Sequence, residues 1–520
     1  MNNNMRIRNY YSFRIALHLI LLLFQLLFWN FTIDDAFISF RYAKNLFLNQ
    51  EMVFNIGEAP VEGYSNFLWV LWMTLSFVFN IEIVFFSKIS GLIFCHLSVL
   101  ILYKLAFRIS KSKDLSCLVI LFYILTPNIA LWSIGGLETL LFSCLLLVSV
   151  YFFIFDITVR KNRIIKLSPF SFLLLSLTRH EGAVLFTFTF IFFLYLLIKS
   201  NEININRRIL LLFCYGGTFI LTYAPYFLWR IAYYNNILPH TFVAKQTGFD
   251  LLLFTQRISF YLPLLIFLLP TFFVIVFYYI KRSNYRIKNV IHQYIILITL
   301  SLSIIILFLT AWMPGFRFTV PVIPLVYLLL PKPLNFLLTT YRNKFKLNIL
   351  SKNFKYIAVT IICFLNFSQI FTFYPFVDLY GAGIKECNIV LGKWINENSS
   401  ENSSLAIWDA GAIPFYSNIR TIDIYPDSLQ DLHLYNNPED ADYILDQNIT
   451  FLILNDEYFS FIKVDSRFQS NYHLIFYAQF YYADVFYGRD YIYQIYLFND
   501  FNVSESAINA LINTSDRFYI

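Results

Sequence analysis

The stretch NFLWVLWMTLSFVFNIEIVFF (66–86), followed at once by SKISGLIFCHLSVLILYKLAFR (87–108), decides how the chain is threaded. Both segments are apolar, and crossing a bilayer takes about 20 apolar residues. If both crossed, Lys104, Arg108, Lys111 and Lys113 would lie outside, against the excess of basic residues in cytoplasmic loops. Asn80 and Glu82 also interrupt the first segment. We therefore expect Phe67–Phe79 to lie on the outer surface as an amphipathic helix, and Lys88–Arg108 to be the second span.

Composition supports bilayer as the solvent. Hydrophobic residues make up 58% of the 520 residues and charged residues 14%, whereas soluble domains carry about 25% charge. The mean hydropathy is +0.60. The net charge of +7 is read as cytoplasmic-loop bias, not as nucleic-acid binding. Five of the six cysteines (Cys95, Cys117, Cys144, Cys214, Cys363, Cys387) lie in apolar runs, and none forms a CxxC pair. Neither a disulfide framework nor a zinc site is expected.

The first run, Ile15–Ile33, follows Arg6, Arg8 and Arg14 and has no small-residue cleavage site after it. It predicts an uncleaved span with a cytoplasmic N-terminus. Further spans follow at about Leu115–Trp132, Leu137–Ile157, Leu167–Thr178, Ala183–Ile198, Ile209–Trp229, Ser259–Ile280, Val290–Trp312, Arg317–Leu330 and Tyr356–Tyr374. Basic clusters separate them on the inner side: Arg160 to Lys166, Arg207/Arg208, Lys281 to Lys288, and Lys332 to Lys355. The expectation is a polytopic α-helical membrane protein of about 11 transmembrane helices. Residues 1–376 form the helical core, with a first outer loop at 34–87, and 377–520 form a C-terminal extracytoplasmic α/β domain. That domain follows from a composition change near Val377, a helical pattern at Ile384–Asn396, and strand-like Leu405–Trp408, Thr421–Ile424 and Phe451–Leu454. A helical stretch at Pro438–Asp446 and Tyr/Phe-rich strands over Tyr472–Leu497 complete it.

With this threading the polar residues gather on one face. The first outer loop reads IDDAFISFRYAKNLFLNQEMVFNIGEAPVEGYSNFLW (33–69). Asp34 and Asp35 stand at the mouth of the first span, either as a general base or metal ligands or as a solvated pair that stops the helix. Arg41 follows two helical turns on and is placed to pair with an aspartate or to bind phosphate. Glu62-Gly63-Tyr64 precedes a helix whose Trp69 and Trp72 read as interface anchors. Glu138 follows a Gly pair, and Arg179-His180-Glu181 joins two short spans, where an Arg179–Glu181 ion pair competes with a functional role. Arg230, Tyr234, His240, Lys245 and Arg317 complete the set. Singly each cation reads as snorkelling; together Arg179, Arg230, Lys245 and Arg317 read as a phosphate clamp. His180 and His240 lack a second ligand at metal-binding spacing.

The block DDAFISFRYAKN…VFNIGEAPVEGYSNFLW (34–69) resembles the first loop of bacterial C-type glycosyltransferases, and is similar to the mycobacterial terminal arabinofuranosyltransferase family. GGLET (135–139), LTRHEG (177–182), WR…YYNN…LPHTFVAK (229–245), FRFTVPVIP (316–324) and WDAGAIPFYSNIRTIDIYPD (408–427) look like that family's later blocks. The family more often has Pro at the position of His180 and Asn at that of His240.

The resemblance implies sugar transfer from a polyprenyl-phosphate donor to a glycan, lipid or protein acceptor at the outer face of the bacterial cytoplasmic membrane. Asp34 is the implied base, with Asp35 orienting the site or holding a divalent cation. Arg41, Arg179, Arg230, Lys245 and Arg317 are candidates for the donor phosphate. Candidates for sugar or acceptor are Glu62, Tyr64, Glu138, His180, Glu181, Tyr234, His240, Asp409, Asp423 and Asp427. A transporter or flippase for a lipid-linked or anionic sugar is the alternative, and would string ionisable groups through mid-membrane.

Overall fold

In hydrocarbon each backbone N–H and C=O needs an internal partner, so apolar runs can cross only as helices or closed barrels. The computed structural model describes all residues except 1, 162, 202, 238–250, 282–288, 308–312, 314, 337–349, 425–429, 456–458 and 485–488. A helix stands at each expected span: α1 (Asn2–Leu27), α4 (Ile83–Ser110), α5 (Lys113–Ile124) with α6 (Pro127–Ile134), α7 (Thr139–Thr158), α8 (Ser168–Thr178), α9 (Glu181–Lys199) and α10 (Ile205–Tyr234). Then follow α11 (Leu251–Lys281), α12 (Val290–Leu307), α13 (Val322–Leu329) and α14 (Leu350–Gly383). Among the described residues five helices are long and apolar enough to cross a membrane, or six if α5 and α6 make one bent span.

Between α1 and α4 lie α2 (Asp35–Asn49) and α3 (Phe67–Val78). The expected break before the second span is real, and Glu82 makes it: its carboxylate accepts from the N–H groups of Val84 and Phe85, capping α4. Trp69 is not an interface anchor. It is 1% exposed and donates its indole N–H to Gly136 O at 3.1 Å, whereas Trp72 is 38% exposed. The span expected over Leu115–Trp132 is bent by 60° between α5 and α6. Pro127 begins α6, and proline both lacks an N–H and disfavours helical backbone in the preceding residue, Thr126. The span expected from Arg317 opens as a 3-10 turn, Arg317–Thr319, before α13.

The composition change near Val377 falls inside a helix. α14 runs through it to Gly383 and continues as a π-helical turn, Ile384–Asn388, into α15 (Ile389–Glu397). The sheet beyond has six strands in the order β2-β1-β3-β5-β4-β6. They are β1 (Ser404–Ile407), β2 (Arg420–Asp423), β3 (Phe451–Asn455), β4 (Tyr472–Asp484), β5 (Arg489–Phe498) and β6 (Phe518–Tyr519). β1 is parallel to both β2 and β3; the other pairings are antiparallel.

The sheet docks on the segment between α1 and α4 through Arg41, which is buried. Its guanidinium donates to Phe54 O (2.7 Å), Asn55 Oδ1 (3.0 Å), Pro414 O (2.6 Å), Ile419 O (2.8 Å) and Thr421 Oγ1 (3.5 Å). Asn55 extends the seam: its side chain exchanges hydrogen bonds with the backbone N–H and C=O of Thr421 (3.0 and 2.8 Å), as a neighbouring strand would. Arg41→Lys is therefore expected to destabilise the protein by at least about 2 kcal/mol, because a point ammonium leaves two or more buried acceptors bare at roughly 1–3 kcal/mol each. Thermal unfolding of the purified variant in detergent checks this; an unchanged midpoint would refute the seam.

Candidate active site

Just after α1 the chain is held by Lys88, whose ammonium donates to Trp29 O and Phe31 O. Ile33 N–H then donates to Gly135 O at 3.2 Å, laying residues 31–36 against the Gly135-Gly136 turn. Gly136 has φ +88°, and a Cβ there would meet Ala36 Cβ at 2.9 Å, so glycine is required twice over. This approach puts Asp34 and Glu138 at the same end of the helical bundle as the sheet.

Asp34 meets the sheet side of the molecule. Its backbone N–H donates to Tyr380 Oη at 3.2 Å. Its Oδ1 accepts from Ala412 N–H (3.0 Å) and Asn388 Nδ2 (3.3 Å). Oδ2 faces Gly411, where a Cβ would lie 2.0 Å away, so any side chain at 411 would cover that oxygen. The π-helical turn after α14 brings Asn388 into reach, a placement typical of π-bulges at working sites. Asp409, two residues beyond β1, accepts from the Tyr493 hydroxyl. Burial pushes the proton affinity of both carboxyls up, and the nearby Asp409 and Asp35 charges push that of Asp34 further. Asp35 opens α2 and is close enough to interact electrostatically with Asp34, Asp409 and Arg317.

The second part of the site is a closed charge cluster. Glu138, 1% exposed, accepts from Arg317 Nη2 (2.6 Å), Arg179 Nη1 (3.2 Å) and Asn66 Nδ2 (2.8 Å). Arg179 also donates to Glu181 Oε1 from Nη2 (2.6 Å) and Nε (3.2 Å), so the sequence-local ion pair does form, as part of a larger set. Two carboxylates and two guanidiniums balance, which is what burial demands. Arg179 and Arg317 nevertheless line one small pocket of about 10 Å³, room for a single water, with Glu181, Thr139, Phe142 and Phe318, and each keeps N–H groups beyond those bonds.

The other candidates separate. Arg41 has its five N–H groups taken by the docking seam, so it is removed from the phosphate set. Arg230, 1% exposed, donates through Nε to both oxygens of Glu62 (2.8 Å) and through Nη1 to Ile237 O (2.7 Å); that pair fastens the loop to α10. Tyr64 and Tyr234 share a hydroxyl contact at 3.0 Å, and Tyr234 donates to Met52 O, so both belong to the same packing. His180 caps α9 half-buried beside Arg179 and Glu181. Asp423 ends β2 opposite Ile407, 4% exposed, at the carboxyl edge where ligands of α/β sheets gather. His240, Lys245 and Asp427 lie outside the described residues.

Sequence reasoning missed Asn388, Tyr380 and Tyr493, which come from remote segments with no local signal. Gly411 was visible inside the quoted D-A-G-A block. Among the described residues no three His, Cys, Asp or Glu side chains converge, so a divalent cation at Asp34 and Asp35 finds no third such ligand there.

Residues 376–496 match a family described as a domain of unknown function, DUF8728. No curated protein matches the sequence. ArnT from Cupriavidus metallidurans, solved bound to undecaprenyl phosphate, superposes with a TM-score of 0.61 at 11% identity over 93% of this chain and 98% of that one. Its apo state gives 0.58 at 11% identity, over 95% and 98%. The arabinofuranosyltransferase AftD from Mycobacteria, in a mutant form, gives 0.45 at 13% identity, over 93% of this chain and 41% of that one. The chain thus has the ArnT fold over nearly its whole length, and the resemblance to C-type glycosyltransferases holds at the level of fold.

The buried carboxyls carry a pH signature. With proton affinities raised in the folded state, that state binds more protons than the unfolded chain from the ordinary carboxylate range up to the raised values, so stability falls as pH rises through this window. Asp409→Asn, whose amide oxygen still accepts from Tyr493, is expected to raise the thermal midpoint at pH 8 and to leave it unchanged at pH 4. Equal effects at both pH values would refute the coupling.

Proposed function

We propose that the chain is a glycosyltransferase that moves a sugar from a polyprenyl-phosphate-linked donor to a glycan, lipid or protein acceptor at the outer face of the bacterial cytoplasmic membrane. The N-terminus is then cytoplasmic and the sheet domain extracytoplasmic. The observation that carries this reading is a proton-avid carboxyl, Asp34, at the same end of the helical bundle as two pocket-lining arginines, in a chain with the fold of a protein solved with undecaprenyl phosphate.

In this reading the acceptor O–H gives its proton to Asp34, whose free oxygen faces Gly411. Burial makes the carboxyl a stronger base than one in water. The acceptor oxygen bonds to the anomeric carbon as the bond from that carbon to the phosphate oxygen breaks, releasing polyprenyl phosphate. Arg179 and Arg317 would offer N–H groups to the charge growing on that leaving group. Asp35, between Asp34 and Arg317, would orient the two halves. Asp409, Asp423 and His180 would supply partners for sugar hydroxyls.

The test is transfer by the purified chain from a panel of polyprenyl-phosphate pentoses and hexoses. The starting acceptors come from comparing envelope glycans of a deletion strain with those of its parent. Asp34→Asn should lower turnover by about 10²–10⁴-fold, and Asp35→Asn by less, while Arg317→Gln weakens donor use. Full activity in Asp34→Asn would remove the base assignment; binding without turnover of any donor would favour transport.

A further inference from the structure

The end of the bundle opposite the carboxylates holds a second constellation that the transfer reading does not use. Between α11, α12 and α13 runs a half-open cavity of about 300 Å³, walled by Phe272, Ile275, Ile296, Leu300, Val326 and Leu329. The two aliphatic hydroxyls in its wall are satisfied within their own helix: Thr299 donates to Ile295 O (2.7 Å) and Ser303 to Thr299 O (2.8 Å). The cavity therefore offers hydrocarbon to whatever fills it, and lies among helices read as spans.

Its inner end is different. Tyr279, two residues from the end of α11, lines the cavity with a buried hydroxyl that has no hydrogen-bond partner among the described residues. Its ring centroid lies 6.1 Å from that of His292, the third residue of α12. His292 is 2% exposed, and neither ring nitrogen has a partner among the described residues. Half-buried Lys332, just after α13, is close enough to act on His292 electrostatically. Buried polar atoms are nearly always hydrogen-bonded, so two unpartnered groups side by side call for an explanation. The available hydrogens belong to a phenol, an imidazole and an ammonium, a donor set that suits an acceptor-only anion.

We propose that this is a binding site for an anionic glycerophospholipid of the cytoplasmic leaflet, with the phosphate held by Tyr279, His292 and Lys332 and acyl chain in the cavity. Basic pockets between membrane helices on the cytoplasmic side are suited to such headgroups. Lys281 ends α11 at this same end, so the local charge complements the headgroup.

The full chain, reconstituted in phosphatidylcholine nanodiscs doped with phosphatidylglycerol, is released for native mass spectrometry. One phosphatidylglycerol should stay bound per chain. Lys332→Gln, and independently His292→Leu, should lower its retention by about tenfold or more. Ile296→Trp, which fills the cavity and leaves the donors intact, should do the same. Unchanged retention in all three variants would overturn the site, as would equal retention of uncharged diacylglycerol. Displacement of the lipid by inorganic phosphate alone would overturn the acyl-chain half of the proposal. Retention of polyprenyl phosphate with rejection of phosphatidylglycerol would overturn the choice of lipid. None of these readouts uses sugar transfer, so the site stands or falls apart from the catalytic reading.

Discussion

A carboxylate with almost no water around it has to be matched by charge, and Glu138 is matched by two guanidiniums and one amide from three other stretches of chain. Asn66 comes from the segment between α1 and α4, Arg179 from the turn between α8 and α9, and Arg317 from the turn before α13. Glu138 itself follows the glycine pair that residues 31–36 lie against. Removing one member would leave a buried charge uncompensated, the costliest kind of defect in a protein interior. The turns are therefore held at one height, and the two arginines are held facing one pocket. Structural necessity and chemical opportunity coincide here: the carboxylate that makes the burial tolerable also aims the cations.

The segment between α1 and α4 serves a second joint. Arg41 and Asn55, held within it by their bonds to Phe54 O and to each other, tie it to the docked sheet through backbone acceptors of Pro414 and Ile419 and the edge of β2. That joint delivers the N–H of Ala412 and the side chain of Asn388 to Asp34. The surroundings of the carboxyl proposed as base thus come half from the helical bundle and half from the segment that carries the sheet. α14, with Pro375 inside it, passes through the π-helical turn into α15, so continuous helical backbone leads from one part to the other.

Several features were legible in the sequence because they depend on local physics. The helices follow from apolar runs, and the break before α4 follows from Glu82, which caps it; the 60° bend at Pro127 is not foreseen, since the stretch Leu115–Trp132 reads as one span. The strands at 404–407, 420–423 and 451–455 were visible as short β-rich runs between helical patterns. Candidate residues were legible as types: Asp34, Glu138, Arg179 and Arg317 stood out because ionisable groups are rare in an apolar chain. Their partners were not. Trp69 looked like an interface anchor because its burial depends on Gly136, 67 residues away. Arg41 looked like a phosphate ligand because its acceptors at 414, 419 and 421 are silent in sequence: two of the three are backbone carbonyls, which every residue possesses.

The sequence by itself determined the solvent of the protein, the positions of its helices and sheet strands, and the short list of residues able to do chemistry, since hydropathy and charge act residue by residue. Only the tertiary structure decided which of the four described candidate cations is spent on docking, which on a carboxylate of the loop, and which still face a pocket. That division depends on pairings between segments up to 380 residues apart, and such pairings are settled by packing and by the cost of an unpaired buried charge, neither of which leaves a local mark in the chain.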